Sequence, residues 1–244
     1  SDADRVLFFA LTPQEVALVG RLRTARTKVH FLLQLGYFRA RQRFFSLDLD
    51  AVADDLAYIC QHHLDGIAVH DLAASKHTRQ RHIQWILDRF GFQLMDGSTR
   101  RDLEARALSA ARISSRPVYV LRDLVDHLRR QRIVLPGYTY LQDVVRRALA
   151  FERHRLSDVL SAVMMPGDIE LLDRLLSDED GLHTVTELKH QPRDFSHQQL
   201  LAEIDRGERI RPLFAVAQRI VAQAELSVES VRFYASLVDY YTVY

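Results

Sequence analysis

The stretch "RRQRIVLPGYTYLQDVVRRALAF", Arg129–Phe151, sets a Leu-Pro-Gly break between two basic segments that both carry helical spacing. Pro136 interrupts a helix and Gly137 tolerates the backbone a reversal needs, so the stretch reads as helix, tight turn, helix. Downstream, Leu141, Val144, Val145, Ala148, Leu156, Val159, Leu160 and Val163 form one stripe of a long helix over about Thr139–Met164. Opposite that stripe, Arg146, Arg147, Arg153 and His154 fall at i, i+1, i+7 and i+8 and stack as a ridge. Arg129, Arg130 and Arg132 close the preceding helix beside the turn, and Tyr138, Thr139 and Tyr140 open the next. A helix N-terminus offers unpaired N–H groups and partial positive charge, which suit phosphates or base edges. Two readings stand. One is an αα-hairpin with a solvated basic face; the other is a helix-turn-helix presenting its second helix to a nucleic-acid groove.

Helical signals run through the rest of the chain. Thr12-Pro13-Gln14-Glu15 is a capping box with Pro at the first helical position, starting a helix that runs to about Leu22. From Thr27 to about Arg39 the pattern is apolar around most of the circumference (Val29, Phe31, Leu32, Leu33, Leu35, Phe38), which predicts a buried central helix. Asp50 is expected to cap a helix with Val52, Leu56, Ile59 and Cys60 inward, and a short helix is expected at Val69–Ala74. Ser75 caps a helix with Ile83, Ile86, Leu87 and Phe90 on one face, ended by Gly91. Ser98 opens a helix to about Ile113, and Pro117 starts another with Val118, Leu121, Leu124, Val125 and Leu128 inward. Beyond "MPGD", Met165–Asp168, lie an acidic helix at about Ile169–Leu176, the loop "SDEDG", and Leu182–Leu188, which reads as a short strand or a helical turn. Ser196 and Gln199 form a second capping box for a helix through about Arg206, followed by helices over Ile210–Ala224 and Val228–Tyr244. The fold class is all-α: tandem helical modules, helix-turn-helix-like, over 1–95 and 96–165, followed by a helical connector over 166–244.

Charge divides the chain along the same lines. The net charge is +1, yet residues 1–165 carry +7 and residues 166–244 carry −6. A basic front suits a polyanion, and an acidic rear suits something else. Three of the 33 basic residues are Lys and the rest Arg, whose guanidinium fork fits phosphate; a GC-rich genome gives the same bias. With one cysteine, Cys60, no disulfide framework forms within the chain, which fits a reducing, cytoplasmic setting. No apolar run approaches membrane-spanning length. The chain starts at Ser1 and stops at Tyr244 inside an apolar pattern, so it is expected to be a fragment of a longer one.

A second basic element is "SKHTRQRHIQWILDRFGF", Ser75–Phe92. Its apolar face centres near Ile83, and Trp85 falls far from that centre, on the side shared by Thr78, Arg81 and Arg89. Trp85 therefore either packs on a neighbouring helix or lies near a sugar-phosphate edge, with Lys76, Arg79, Arg81 and Arg89 on phosphates. Arg39, Arg41 and Arg43 end the central helix, where cations also complement the C-terminal carbonyls. "CQHH", Cys60–His63, and His70-Asp71 raise a helical His/Asp metal-dependent phosphohydrolase as an alternative. Against it, Cys60 faces the core by periodicity, the eleven His are scattered, and no CxxC or HExxH spacing occurs. There is no P-loop, GxGxxG or GxSxG either.

These segments resemble a family. "HFLLQLGYFRARQRFF", His30–Phe45, "TRQRHIQWILDRFGF", Thr78–Phe92, and "RIVLPGYTYLQDVVRRA", Arg132–Ala148, are similar to the N-terminal region of replicative transposases of the Tn-three family. "LLAEIDRGERIRPL", Leu200–Leu213, and "SVESVRFYASLVDYYTVY", Ser227–Tyr244, resemble the segments that follow, so the likeness spans nearly the whole chain. One departure is Phe45, where Pro is expected after an Arg-Phe pair. The resemblance implies tandem DNA-binding modules that recognise transposon terminal inverted repeats in a bacterial, nucleoid-associated protein. It places catalysis in an RNase-H-like domain with a DDE triad and divalent metal outside this chain, so no catalytic residue, metal or cofactor is expected here. The expected partners are double-stranded DNA, the rest of the transposase chain and a second protomer. A helical protein-interaction scaffold is the rival reading.

Overall fold

The structure, a computed structural model, describes residues 2–177 and 196–241. Among them are eleven α-helices and no strand, as the periodicity requires. In chain order they are α1 (Asp2–Phe9), α2 (Pro13–Gly20), α3 (Ala25–Arg41), α4 (Ala53–His63), α5 (Lys76–Phe90), α6 (Gly97–Ile113), α7 (Pro117–Arg130), α8 (Tyr138–Val163), α9 (Pro166–Ser177), α10 (His197–Ala224) and α11 (Val228–Tyr241). They divide into two compact units. The first is Ser1–Arg100 with Leu124–Tyr140; the second is Arg101–Asp123 with Leu141–Tyr244.

In the first unit, α3 is the axis. Phe31, Leu32, Leu33, Leu35 and Phe38 are each no more than 1% exposed, as expected of a helix apolar around its circumference. Each such side chain contributes about 1.5–3 kcal/mol on burial. α1, α2, α4 and α5 pack on α3, and the rings of Phe44, Phe90 and Phe92 close around Phe38. Gly36 lets the Phe9 ring lie directly on the α3 backbone, in space a methyl would occupy.

Polar groups pin the same helix. The Thr12–Glu15 capping box forms in both directions, and buried Glu15 also takes the Arg39 guanidinium at 2.6 Å. Burial alone raises the Glu15 carboxyl; the Thr12 N–H and the Arg39 guanidinium outweigh it and hold it below the ordinary value. The Gln34 side chain donates to the Phe45 carbonyl at 2.7 Å and accepts the Phe45 N–H at 3.4 Å. A proline at that position has no such N–H, so the departure at residue 45 supplies a latch.

The C-termini of α3 and α5 and the chain leaving α7 meet. Gln42, Gly91 and Arg132 all adopt left-handed backbone, with φ of 52°, 65° and 52°. The Phe92 and Ile133 N–H groups reach back five residues, to Leu87 and Leu128, as helix stops of this kind do. Gln93 then pairs with Arg132 and Val134 in a parallel bridge, and the Leu135 N–H donates to the Gln42 carbonyl at 3.0 Å. The Leu-Pro-Gly break is thereby fastened to the end of the central helix.

In the second unit, α8 buries Leu141, Val144, Val145, Ala148 and Leu156. Glu152, 5% exposed, holds Arg155 at 2.7 Å, and Arg155 also donates to the Ala224 carbonyl at the end of α10.

Several boundaries differ from the sequence reading. α1 is an additional helix. Asp50 does not cap α4, which starts at Ala53 without a side-chain cap; the Asp50 N–H instead donates to Asp48 in a preceding turn. Val69–Ala74 is not helical, because Asp71 turns back on the Ala73 N–H at 2.7 Å and pairs with Arg26. Asp96, not Ser98, accepts the first-turn N–H of α6, from Thr99. Val120, not Val118, heads the buried stripe of α7. α10 runs unbroken through Pro212, where the sequence pattern predicts two helices. The "SDEDG" loop, Leu182–Leu188 and the end of α11 past Tyr241 lie at least partly outside the described residues.

Gly36→Ala is expected to destabilise the chain by about 1–3 kcal/mol through overpacking against Phe9. Urea unfolding followed by circular dichroism checks this, and an unchanged midpoint would show that the ring moves aside freely.

Candidate nucleic-acid interface

The first unit collects arginines where its helices end. Arg41 ends α3 and Arg43 follows it; Arg129 and Arg130 end α7 and Arg132 follows it. The bond from Leu135 to Gln42 brings the two groups to one knot, and Arg43 Nη2 lies 3.7 Å from the position of a Gly137 Cβ. Last-turn cations complement the carbonyl ends. Arg130 donates to the Asp126 carbonyl at 3.3 Å, and Arg132 reaches the Phe90 carbonyl at 3.4 Å. Each guanidinium has five N–H donors, so most of them stay available. None of these five arginines pairs with a carboxylate among the described residues, whereas Arg5, Arg26, Arg39 and Arg89 all do. In the sequence, Arg43 reads only as part of a helix end. Its neighbour Gly137 is more than ninety residues away, so spacing carries no signal of their meeting.

The α5 candidates divide. Lys76, Arg79 and Arg81 are exposed, and the Thr78 hydroxyl shares a hydrogen bond with Ser75 at 2.9 Å inside the cap. Trp85 packs edge-on against Phe31, with the Arg81 guanidinium 5.3 Å from its ring centre. Arg89 leans toward buried Glu15 at 3.7 Å. Of the two readings for Trp85, the geometry favours packing on a neighbouring helix. Tyr138 and Thr139 are exposed at the start of α8, and Tyr140 is half-buried with its hydroxyl enclosed and without a partner among the described residues.

In the second unit, Arg146, Arg147 and Arg153 are exposed along α8, as the ridge requires. Asp143 accepts from Arg146 at 2.8 Å and lies 3.1 Å from Arg147, which also meets Glu104 at 3.1 Å. Exposed pairs of this kind contribute about 0–1 kcal/mol, so they yield readily to a phosphate. Arg153 has no carboxylate partner among the described residues.

One buried feature has no counterpart in the sequence reading. His30 of α3 and His82 of α5 place their Nδ1 atoms 3.1 Å apart, with His82 fully enclosed beside Phe31 and Trp85. Burial, then the neighbouring His30 and Arg81, pushes the His82 imidazole down to about 4. Burial and Arg79 lower His30 as well. A histidine within helical spacing reads as an ordinary surface residue, which is why periodicity centres that face on Ile83.

A family model described as "Domain of unknown function (DUF4158)" matches residues 1–148. The chain belongs to the DUF4158 family. This DUF4158 chain is also similar to two transposases of Escherichia coli. It is 21% identical over 209 residues to the transposase for transposon Tn21, covering 84% of the chain and 21% of that relative. It is 21% identical over 201 residues to the transposase for transposon Tn3926, covering 81% of the chain and 20% of that relative. The DUF4158 chain thus spans about a fifth of the length of the curated relatives it matches. These matches support the likeness to the N-terminal region of Tn-three-family transposases read from the sequence. Among the described residues, no three His, Cys, Asp or Glu side chains cluster as a metal site, and no helix is long and apolar enough to cross a membrane.

The histidine pair is expected to make the chain acid-sensitive. His82 is held neutral, with a folded pKa below the ordinary 6.5, so its contribution is complete above 6.5. It is lost as pH falls from about 6.5 toward about 4, because the unfolded chain takes up the proton first. One such group gives a slope approaching about 1.4 kcal/mol per pH unit in that window. Urea unfolding across this range is expected to show the fall, and His82→Leu is expected to flatten it. A slope unaffected by the substitution would assign the acid sensitivity elsewhere.

Proposed function

We propose that this chain binds duplex DNA through an arginine-bearing surface on each of its two units, as the part of a transposase that recognises transposon terminal inverted repeats. The observation that carries the reading is the knot of α3 and α7, where Arg41, Arg43, Arg129, Arg130 and Arg132 gather without carboxylate partners among the described residues. Guanidinium groups gathered without carboxylate partners repel one another, and a polyanion relieves that repulsion while releasing counterions. Arg146, Arg147 and Arg153 on α8 and Lys76, Arg79 and Arg81 on α5 supply further backbone contacts, and Tyr138 and Thr139 lie exposed at the helix start beside the Leu-Pro-Gly turn, where bases are read; the enclosed Tyr140 hydroxyl is not among the readers. Linked surfaces on one chain raise avidity for a long end sequence. Strand transfer, with its divalent metal, belongs in this reading to a catalytic domain outside these residues, and no cofactor is assigned to them. A bacterial cytoplasmic setting on the nucleoid goes with it.

A protein-docking role for the acidic connector has its own support. α10 buries Val216 and Ala224, yet Leu200, Ile204, Phe214 and Val221 stay exposed along its outer side. A helix apolar on two sides serves two contacts. The rest of the transposase chain or a second protomer is the partner for the outer one.

Fluorescence anisotropy with a duplex carrying the parent element's ends tests the main reading. Affinity is expected to fall steeply between low and moderate salt and to exceed that for a scrambled duplex. Arg43→Ala with Arg132→Ala is expected to lower the salt slope by about two, one for each phosphate no longer neutralised. Arg146→Ala with Arg147→Ala is expected to weaken binding at least about tenfold, with the helical circular dichroism unchanged. Salt-independent affinity would sink the DNA reading, and equal affinity for the scrambled duplex would sink its sequence specificity.

A further inference from the structure

A cavity of about 470 Å³ opens beside the start of α5. Its walls include His30 and Gln34 of α3, Ser46 of the following loop, Asp71 and Ala74 ahead of α5, and Arg79 on α5. Two of these groups are already engaged. Gln34 is spent on the Phe45 backbone, and Asp71 on Arg26 and the Ala73 N–H. Arg79 is exposed and has no carboxylate partner among the described residues. His30 is 4% exposed, its Nδ1 faces His82, and its Nε2 has no partner among the described residues.

His82 decides where the His30 proton sits. Its Nε2 is sealed and meets no hydrogen-bond partner among the described residues. Enclosed N–H groups without an acceptor are rarer in folded proteins than under-filled acceptors. His82 therefore keeps its proton on Nδ1 and donates it to His30 Nδ1. A neutral His30 then holds its own proton on Nε2, the ring nitrogen that does not face His82, and His30 lines the cavity. The cavity thus collects an imidazole N–H, an uncompensated guanidinium and the positive end of α5. Donors from two helices and a helix end suit an anionic oxygen group such as phosphate.

We propose that this cavity is a phosphate-group site, with His30 Nε2–H and Arg79 as its donors and His82 as the residue that positions the His30 proton. Its source rests on the DNA-binding reading: the phosphate is one of the duplex backbone, docked at the start of α5.

Imidazole ¹⁵N spectra of the whole chain at neutral pH report both the tautomers and the occupancy. The expected result is His82 protonated on Nδ1 and His30 on Nε2, with the His30 Nε2 signal moving on titration with inorganic phosphate and with a mixed-sequence duplex. Arg79→Ala, at an exposed position outside the core, weakens both responses by at least about tenfold, the loss of one charge-assisted hydrogen bond, and Arg79→Lys retains part of them. Movement with phosphate while the duplex binds elsewhere supports the site and assigns it to a free phosphate. Duplex binding in a gel shift with His30 silent to both probes overturns this site and leaves the DNA reading standing. A phosphate response without any duplex binding supports the site and overturns the DNA reading. A His82 proton on Nε2 overturns the proposal outright.

Discussion

Two helices of the first unit and the chain leaving a third end at one point, and helix ends of like polarity resist being brought together. The C-termini of α3, α5 and α7 each carry unpaired carbonyls and partial negative charge. The fold meets this in two ways. Left-handed residues at Gln42, Gly91 and Arg132 turn the backbone so that the following N–H groups reach the stranded carbonyls or cross to a neighbouring strand of chain. For Gln42 and Arg132 the left-handed conformation costs about 1–2 kcal/mol each, which the bonds through Gln93 and Leu135 offset. Arginines in and after the last turns supply the opposite charge. The basic knot is therefore first a requirement of folding, and its spare donors make it available to a polyanion.

Pairing separates structural arginines from available ones more sharply than exposure does. Arg39 is committed to buried Glu15 and to the carbonyls of Phe8 and Ala10, so it belongs to the core in all but composition. Arg89 is drawn toward the same carboxylate. Arg146 and Arg147 share Asp143 in the open, where solvent screening leaves the pairs weak and exchangeable.

What the sequence disclosed follows the range of the interaction that fixes each feature. The Thr12–Glu15 box, the Ser75 cap and the Gly91 stop are settled within four residues, and each stands in the structure as read. The Leu-Pro-Gly stretch does separate two helices, but α7 already ends at Arg130, the left-handed residue is Arg132 and not Gly137, and the connection is held by long-range bonds to Gln93 and Gln42. The α8 ridge depends only on helical period, and its arginines are exposed accordingly. Asp50 and Val69–Ala74 misled because Asp48 and Asp71 compete for nearby backbone N–H groups, and propensity does not rank such competitors. α10 misled in the opposite direction: Gly207 and Pro212 weaken a helix locally, yet the burial of Val216 and Ala224 downstream carries it through. The approach of Arg43 to Gly137 and of His30 to His82 spans the fold, and no pattern in one chain announces either.

The buried polar groups answer a question the apolar pattern leaves open. A helix that is hydrophobic around its circumference gains almost the same burial at any rotation about its axis, so burial alone specifies α3 poorly. Three polar contacts remove that freedom. His30 faces His82 on α5, Gln34 faces the Phe45 backbone, and Arg39 faces Glu15 on α2. Any rotation of α3 breaks all three and strands buried donors or acceptors, each at about 1–3 kcal/mol. Because the same rotation would carry Gln42 away from Leu135, the setting of α3 also sets the Leu-Pro-Gly turn and the arginines around it. The interior of the first unit thus determines the geometry of its basic surface.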